Sequence, residues 1–365
     1  MNSKRLFTVL SAAIVFGGCA KNGPPPFEAD EFKADKEKVA KIYVKAEHPK
    51  ALKKQPKQAV IPLFQVEFIN ESSASSSSYS LAKEGSTSTN LSYTLMGVDT
   101  AAFTALVDSL YTDFAADLKA QGYEVMPKEA MLATPQYAEL KAKAEPTNPT
   151  QQPSRLEGKN QAMVVAPTGM AVVYLNSFNP KVSLKNMWSG MKGDLPEAPL
   201  ARLVDSAKCV AVGVQMVVGF ASLSDTHVKG SGNSSVNADF RFSIAPLHSE
   251  VMFAGDEAIS KASNPSRWNF NAKDGTILRL QKPIFGSNGF ATGTRDITST
   301  GSKVAEGLGN ALGVMAAMAG GGGAHTSKTR KYALDVDKDK YVGLARENLG
   351  YARGLLLTSR DMAVK

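Results

Sequence analysis

The chain has 365 residues, 43% hydrophobic and 21% charged, a balance that suits a folded protein with one large core or two smaller ones. Its formal charge of +8 is spread along the chain and suits an acidic surface such as anionic lipid headgroups. Basic and aromatic residues do not interleave in the manner of base-stacking proteins, so nucleic acid is excluded as an expected partner.

The N-terminus carries Lys4 and Arg5, an apolar stretch from Leu6 to Phe16, then Gly17, Gly18 and Cys19. A charged start, a short apolar core and small residues make an export signal over residues 1–18. The apolar stretch is shorter than the ~20 helical residues needed to cross a bilayer. The Cys19 thiol stands where a diacylglyceryl group could attach, which would make it the lipidation site and first mature residue; an ordinary secretory signal with an incidental cysteine is the alternative. With Cys19 acylated, Cys209 is the one remaining cysteine and packing must hold the fold without a disulfide.

Residues 19–57 are expected to form a tether and spacer. Gly23-Pro24-Pro25-Pro26 favours polyproline geometry, and charged residues crowd from Glu28 to Lys57. A short helix from Asp30 to Ala46 has only a weak stripe: Phe32, Val39, Ile42 and Tyr43.

A core domain is expected over 58–290. Ala59 to Ile69 is a strand built on Val60, Phe64, Val66 and Phe68. Ser72 to Thr89, rich in serine, threonine and glycine, is expected to be a mobile loop before a short strand from Leu91 to Met96. The clearest helix runs from Thr100 to Ala120, with Asp99 or Thr100 as cap and Phe103, Leu106, Val107, Leu110, Phe114 and Leu118 on one face. Gly122 ends it, and Tyr123 to Met126 follows as a short strand. A helical pair broken at Thr134-Pro135 points Tyr137 and Leu140 inward.

Residues 145–160 read as a hydrophilic loop. Met163 to Val173 is apolar, with a turn at Pro167-Thr168-Gly169. A short helix holding Leu200, Leu203 and Val204 leads into Cys209 to Phe220, whose apolar run suits a central strand covered on both faces. Cys209 itself reads as a small buried side chain. Ser222 to Asn237 is polar and turn-prone. Phe240, Phe242 and Ile244 then alternate with Asp239, Arg241 and Ser243, which predicts a long hairpin of Val210–Leu223 against Val236–Ala245. Ser249 to Gly255 and Thr276 to Leu280 supply further short strands.

The region 291–365 is glycine-rich and helical in pattern. Residues 301–323 fit a buried or interface helix, a membrane contact or a flexible flap. Val342, Ala345, Leu349, Ala352 and Leu356 predict a last helix reaching Met362, weakened by Gly343, Gly350 and Gly354. These elements predict an α/β fold: a mixed sheet covered by amphipathic helices, with an extended N-terminal spacer and a helical C-terminal segment.

Motifs for chemistry are missing. His48, His227, His248 and His325 form no HExxH and stand at no metal-site spacing from cysteine. Gly320 to Gly323 is no phosphate loop, because Ser327 rather than glycine precedes Lys328. Asp225 and His227, near Ser222 and Ser224, read as a solvated turn. Asp335 to Lys340 is polar and reads as a loop, on one side of which Asp335, Asp337 and Asp339 are candidates for weak Ca²⁺ binding, diluted by Lys338 and Lys340 and lacking the glycine and closing glutamate of the usual Ca²⁺ motif. No cofactor, metal or catalytic residue is expected, and Cys19 is the one assigned site.

Phe16-Gly17-Gly18-Cys19 resembles the bacterial lipobox, with Phe16 where leucine is typical, and Ala20 after the cysteine resembles cargo sorted to the outer membrane. Three further pieces resemble the α/β body of the curli secretion channel lipoproteins and related envelope lipoproteins. They are Ala59 to Ile69; Phe103 to Met126 with Gly122-Tyr123-Glu124-Val125; and Val212 to Ile244 with Gly213-Val214-Gln215-Met216-Val217-Val218-Gly219. The resemblance implies oligomeric assembly at the outer membrane and, in the channel proteins, paired hairpins that build a barrel. Ser72–Thr89 and Ser222–Asn237 stand at the hairpin positions but lack the ~9–11 residue apolar alternation of spanning strands. The expected role is a non-catalytic outer-membrane lipoprotein, held by acylated Cys19 and mostly facing the periplasm. It would be a structural or assembly component of an envelope complex, as a homo-oligomer or with other envelope proteins. An oligomeric secretion-channel subunit and an envelope enzyme acting on glycan or peptide are the alternatives.

Overall fold

The computed structural model describes residues 25–80, 85–156, 160–173, 197–227, 234–255, 259–260, 269–270, 275–287, 289–299 and 325–365. Cys19 and the expected helix at 301–323 lie outside these residues.

The first elements are α1 (Ala29–Ala34), α2 (Lys36–Tyr43), β1 (Val44–Glu47) and a 3₁₀ turn (Pro49–Lys54). The single helix expected over 30–46 breaks at Asp35, whose side chain caps α2 by accepting from the Lys38 N–H at 3.0 Å. Within the expected spacer, residues 29–54 pack on the body. Phe32, Val39, Ala40, Val44 and Leu52 are buried, and β1 forms an antiparallel ladder with β14 (Thr276–Leu280). The weak stripe suffices because its partner is made to fit: a Cβ on Gly354 would come within 3.0 Å of the Phe32 ring.

The central strand is β2 (Gln58–Ser80), which turns back as β3 (Gly85–Met96). Then come α3 (Thr100–Ala120), β4 (Glu124–Val125), α4 (Lys128–Leu132), α5 (Pro135–Ala142), β5 (Thr150–Pro153) and β6 (Gln161–Val165). After α6 (Glu197–Ala207), β7 (Val210–Gly219) and β8 (Ser222–His227) run up one side of a hairpin, and β9 (Ser234–Asp239) and β10 (Ser243–Ile244) run down the other. Next are β11 (Glu250–Ala254), β12 (Ile259–Ser260), β13 (Asn269–Phe270), β14, β15 (Ile284–Phe285), β16 (Ala291–Asp296), β17 (His325–Val336) and the terminal helix α7 (Lys338–Val364).

The main sheet has the order β1-β14-β11-β7-β2-β3-β17-β16. β2 with β7 and β3 with β17 are parallel; the other ladders along this path are antiparallel. The fold is therefore mixed α/β, as the pattern predicts. Alternation along β2 sends Phe64 and Phe68 to the helical face. Phe64 meets Tyr111 and Phe114 of α3 edge-on at 5.6 and 5.8 Å, and Phe68 stacks on Phe103 at 4.2 Å. α7 joins the same core through Tyr341, which lies against Phe103, Phe242 and Phe290. Arg353 of α7 bridges Asp113 and Asp117 of α3, each at 2.9 Å. β7 is buried along its whole length, as its double-sided apolar run requires.

Three expectations give way. Ser72–Thr89 is not a loop but the two arms of the β2–β3 hairpin, in register from Glu71 opposite Thr94 to Ser80 opposite Gly85. Backbone ladders hold it: β3 is bonded by β2 on one side and β17 on the other, so apolar alternation is dispensable there. The hydrophilic stretch 145–160 contains β5, which pairs with β6. The polar stretch from Asp335 to Lys340 divides between the end of β17 and the start of α7. The region from residue 291 thus completes the sheet and core as well as ending in a helix.

Candidate functional site

Among the described residues, three strand pairs leave the same end of the sheet: β2–β3, β8–β9 and β16–β17. β2 and β7 run upward in parallel, so β8 continues in the direction of upper β2; β3 and β17 descend together. From Glu71 to Ser80 the first ribbon extends about 30 Å beyond the body. Alternation places Ser72, Ala74 and Ser76 on one face with Leu91 and Tyr93 of β3 and Tyr332 of β17. Tyr93 stacks on Tyr332 at 5.2 Å and meets Phe240, between β9 and β10, edge-on at 4.8 Å. That contact docks the second hairpin on the first and buries Ser72 and Ser76. The other face presents Ser73, Ser75, Ser77, Asn90 and Ser92. Neither face has the apolar band of a lipid-facing strand.

Among the described residues this array has two open margins. β16 is one edge, and Thr292 to Asp296 are exposed. At Glu71, β6 pairs with β2 on one side and β3 on the other; beyond it, the β6 side of β2 has no strand partner among the described residues. Alternate residues there turn N–H and C=O groups outward. At this margin lies a groove of about 840 Å³, whose lining includes Ile69, Ser73, Leu156, Leu223 and Leu247. Leu247 is 60% exposed and sits at φ 64°, a strained setting for a bulky residue, held by its N–H donating to the Leu280 carbonyl at 2.7 Å.

Below the groove a polar row crosses the sheet. Gln65, Gln215, Glu250, Arg279 and Lys45 are register partners on β2, β7, β11, β14 and β1. Glu250 is 2% exposed and accepts from Arg279 Nε at 2.6 Å, while Arg279 Nη1 reaches Glu47 at 3.2 Å. Burial raises the Glu250 carboxyl above the usual carboxylate range, opposed by Arg279 and, more weakly, Arg155. Two residues along β2 from Gln65, buried Glu67 accepts from Ser154 Oγ, from the Arg155 N–H at 3.0 Å and from Arg155 Nε at 3.1 Å. Glu67 and Glu250 are thus each matched by an arginine, an arrangement that braces the strands. Sequence reasoning missed this row. Its signal was there: Gln65, Glu67 and Gln215 interrupt otherwise apolar strands.

Among the described residues no three histidine, cysteine, aspartate or glutamate side chains gather as a metal site. The three candidate Ca²⁺ ligands are engaged separately or turned into a helix. Asp335 takes Arg295 on both oxygens, at 2.5 and 2.7 Å; Asp337 caps α7 by accepting from the Lys340 N–H at 3.1 Å; Asp339 lies in the first turn of α7. Ser222 to His227 form strand β8 rather than a turn, paired with β9. Cys209 is 1% exposed, as a small core residue. His48 precedes the 3₁₀ turn at φ 54°, His248 borders the groove and His325 opens β17.

No helix among the described residues is long and apolar enough to cross a membrane. No family model, curated protein or solved structure matches the chain.

Proposed function

We propose that this protein is a non-catalytic outer-membrane lipoprotein, anchored through Cys19 and acting as an assembly component of an envelope complex. The hairpin array carries the reading. A stack of ribbons with an exposed edge strand at one end, a second open margin at the other and a groove at its root is built for strand-edge contacts with another protein. Support also comes from the buried acids, which are tied to arginines rather than convergent on a cleft. The test is light scattering of native protein extracted from membranes in mild detergent, paired with mass spectrometry of what co-purifies. A stable assembly well above the mass of one chain is expected. A monomer with no envelope partner would overturn the reading.

A second reading, an oligomeric secretion-channel subunit, is favoured by the parallel direction of the β2–β3 and β8–β9 hairpins. The serine-lined faces weigh against a lipid-facing barrel wall. Ion conductance in liposomes would raise this reading above the first.

A further inference from the structure

We propose that Arg241 is a binding site for the phosphate of an anionic lipid headgroup, beside the point where the N-terminal tether joins the body. Arg241 lies between β9 and β10 and is 6% exposed. Its guanidinium sits 5.5 Å from the centre of the Phe285 ring, yet Nε and Nη1 are buried without a hydrogen-bond partner. It stands apart from the other sheltered arginines. Arg155 holds Glu67, Arg279 holds Glu250, Arg353 holds Asp113 and Arg360 holds Asp361. Among the described residues no carboxylate pairs with Arg241. Withdrawing a lone cation from water is costly, so a retained one points to an anion that arrives from outside. The planar fork of donors suits a phosphate oxyanion.

The source follows from where the tether ends. The Phe27 N–H donates to the carbonyl of Phe285 at 2.8 Å, the same residue whose ring lies against Arg241. Phe27 also packs on Tyr43 and Tyr351 at 5.3 and 5.0 Å, which fixes the entry point. Register sets Phe285 opposite Ser243, and Ser243 opposite Gly219, so the tether reaches the body at the root of the hairpins. From Cys19 to Phe27 is eight residues, which cannot span more than about 28 Å. An acylated Cys19 therefore keeps the bilayer surface within that reach of Phe27. Lys282, 5.9 Å from the centre of the Tyr43 ring, adds a second cation near the same entry point. The choice of a lipid, rather than free phosphate or a carboxylate of a second copy, rests on the reading of Cys19 as an anchor.

The test uses the whole mature chain carrying C19S, so that no acyl chain masks the headgroup contact. R241M and R241K are compared with this parent for co-sedimentation with phosphatidylglycerol vesicles and with phosphatidylcholine vesicles, and for thermal unfolding with and without inorganic phosphate. The parent is expected to favour phosphatidylglycerol and to be stabilised by phosphate. R241M should bind those vesicles about tenfold more weakly and lose the phosphate response. It should also unfold at the same or a higher temperature in phosphate-free buffer, because no ion pair is lost, and R241K should keep part of the binding. Unchanged vesicle binding by R241M would overturn the proposal, as would a phosphate response with no preference for anionic vesicles. So would loss of self-association in R241M with vesicle binding intact, which would assign the arginine to a carboxylate of a second copy. Mass spectrometry of the native N-terminus separates the two ideas: a bare Cys19 alongside an intact Arg241 effect removes the anchor and leaves the site.

Discussion

Replacing Arg279 by methionine should unfold the far side of the sheet early, and the deficit should shrink in acid. Arg279 lies between two acids: Glu250, 2% exposed, at 2.6 Å and half-buried Glu47 at 3.2 Å. Methionine keeps much of the side-chain volume but leaves the Glu250 carboxylate buried without its nearest counter-charge. Breaking a sheltered pair on one side costs ~3–5 kcal/mol, most of it from the charge left behind. The Glu47 contact adds little, because both of its side chains keep a quarter of their surface in water. The sign with pH follows from Glu250. Burial already raises its folded pKa above the unfolded value, and losing Arg279 raises it further. A carboxyl raised on folding favours the folded state when protonated, and that benefit fades as pH rises through its folded pKa. Urea unfolding of wild type and R279M from about pH 8 to about pH 5 is the assay. The stability gap is expected to be widest at the alkaline end and to narrow towards acid. R279M combined with E250Q should recover most of the loss, because the stranded charge is gone. A gap below ~1 kcal/mol at neutral pH, or one that widens on acidification, would refute the reasoning.

Phe68→Ala removes a fully buried ring stacked on Phe103 at 4.2 Å and should cost ~3–5 kcal/mol, read as a lower urea midpoint. Gly354→Leu puts side-chain atoms where the Phe32 ring lies, so α1 should detach and limited proteolysis should cut near residues 28–35; full protection would mean that the N-terminal helices do not depend on this contact. Calcium titration should give no heat attributable to Asp335, Asp337 and Asp339, and D335N should leave the titration unchanged, since Arg295 and the α7 cap already engage two of the three. A thiol reagent should label Cys209 only after denaturant is added, because the side chain is 1% exposed.

Much of the fold is legible where side-chain burial sets the structure. The faces of α3, the double-sided apolar run of β7 and the alternation of Phe242 and Ile244 with Arg241 and Ser243 state their surroundings directly. Serine-rich β2–β3 is opaque for the opposite reason: its ladders are made of backbone, and backbone groups are the same in every sequence. The N-terminal helices look like a spacer because the partner of Phe32 is Gly354, more than 300 residues away, and a glycine advertises no apolar contact. Gln65 and Gln215 break apolar strands in the sequence itself, but that they form one row with Glu250 and Arg279 follows only from the register of the four strands. Arg241 is harder still, because alternation marks its face but not the lack of a counter-ion there.

Photo-crosslinking in living cells tests the assembly role most directly. A photoreactive amino acid is placed at Thr294 on the exposed edge strand β16, with Lys53 at the exposed 3₁₀ turn as control. Covalent adducts with an envelope protein or a second copy, formed in the membrane fraction from position 294 and not from 53, are the expected outcome. Monomer alone from position 294, in protein shown to be correctly exported and folded, would contradict the claim that the hairpin array is an assembly surface.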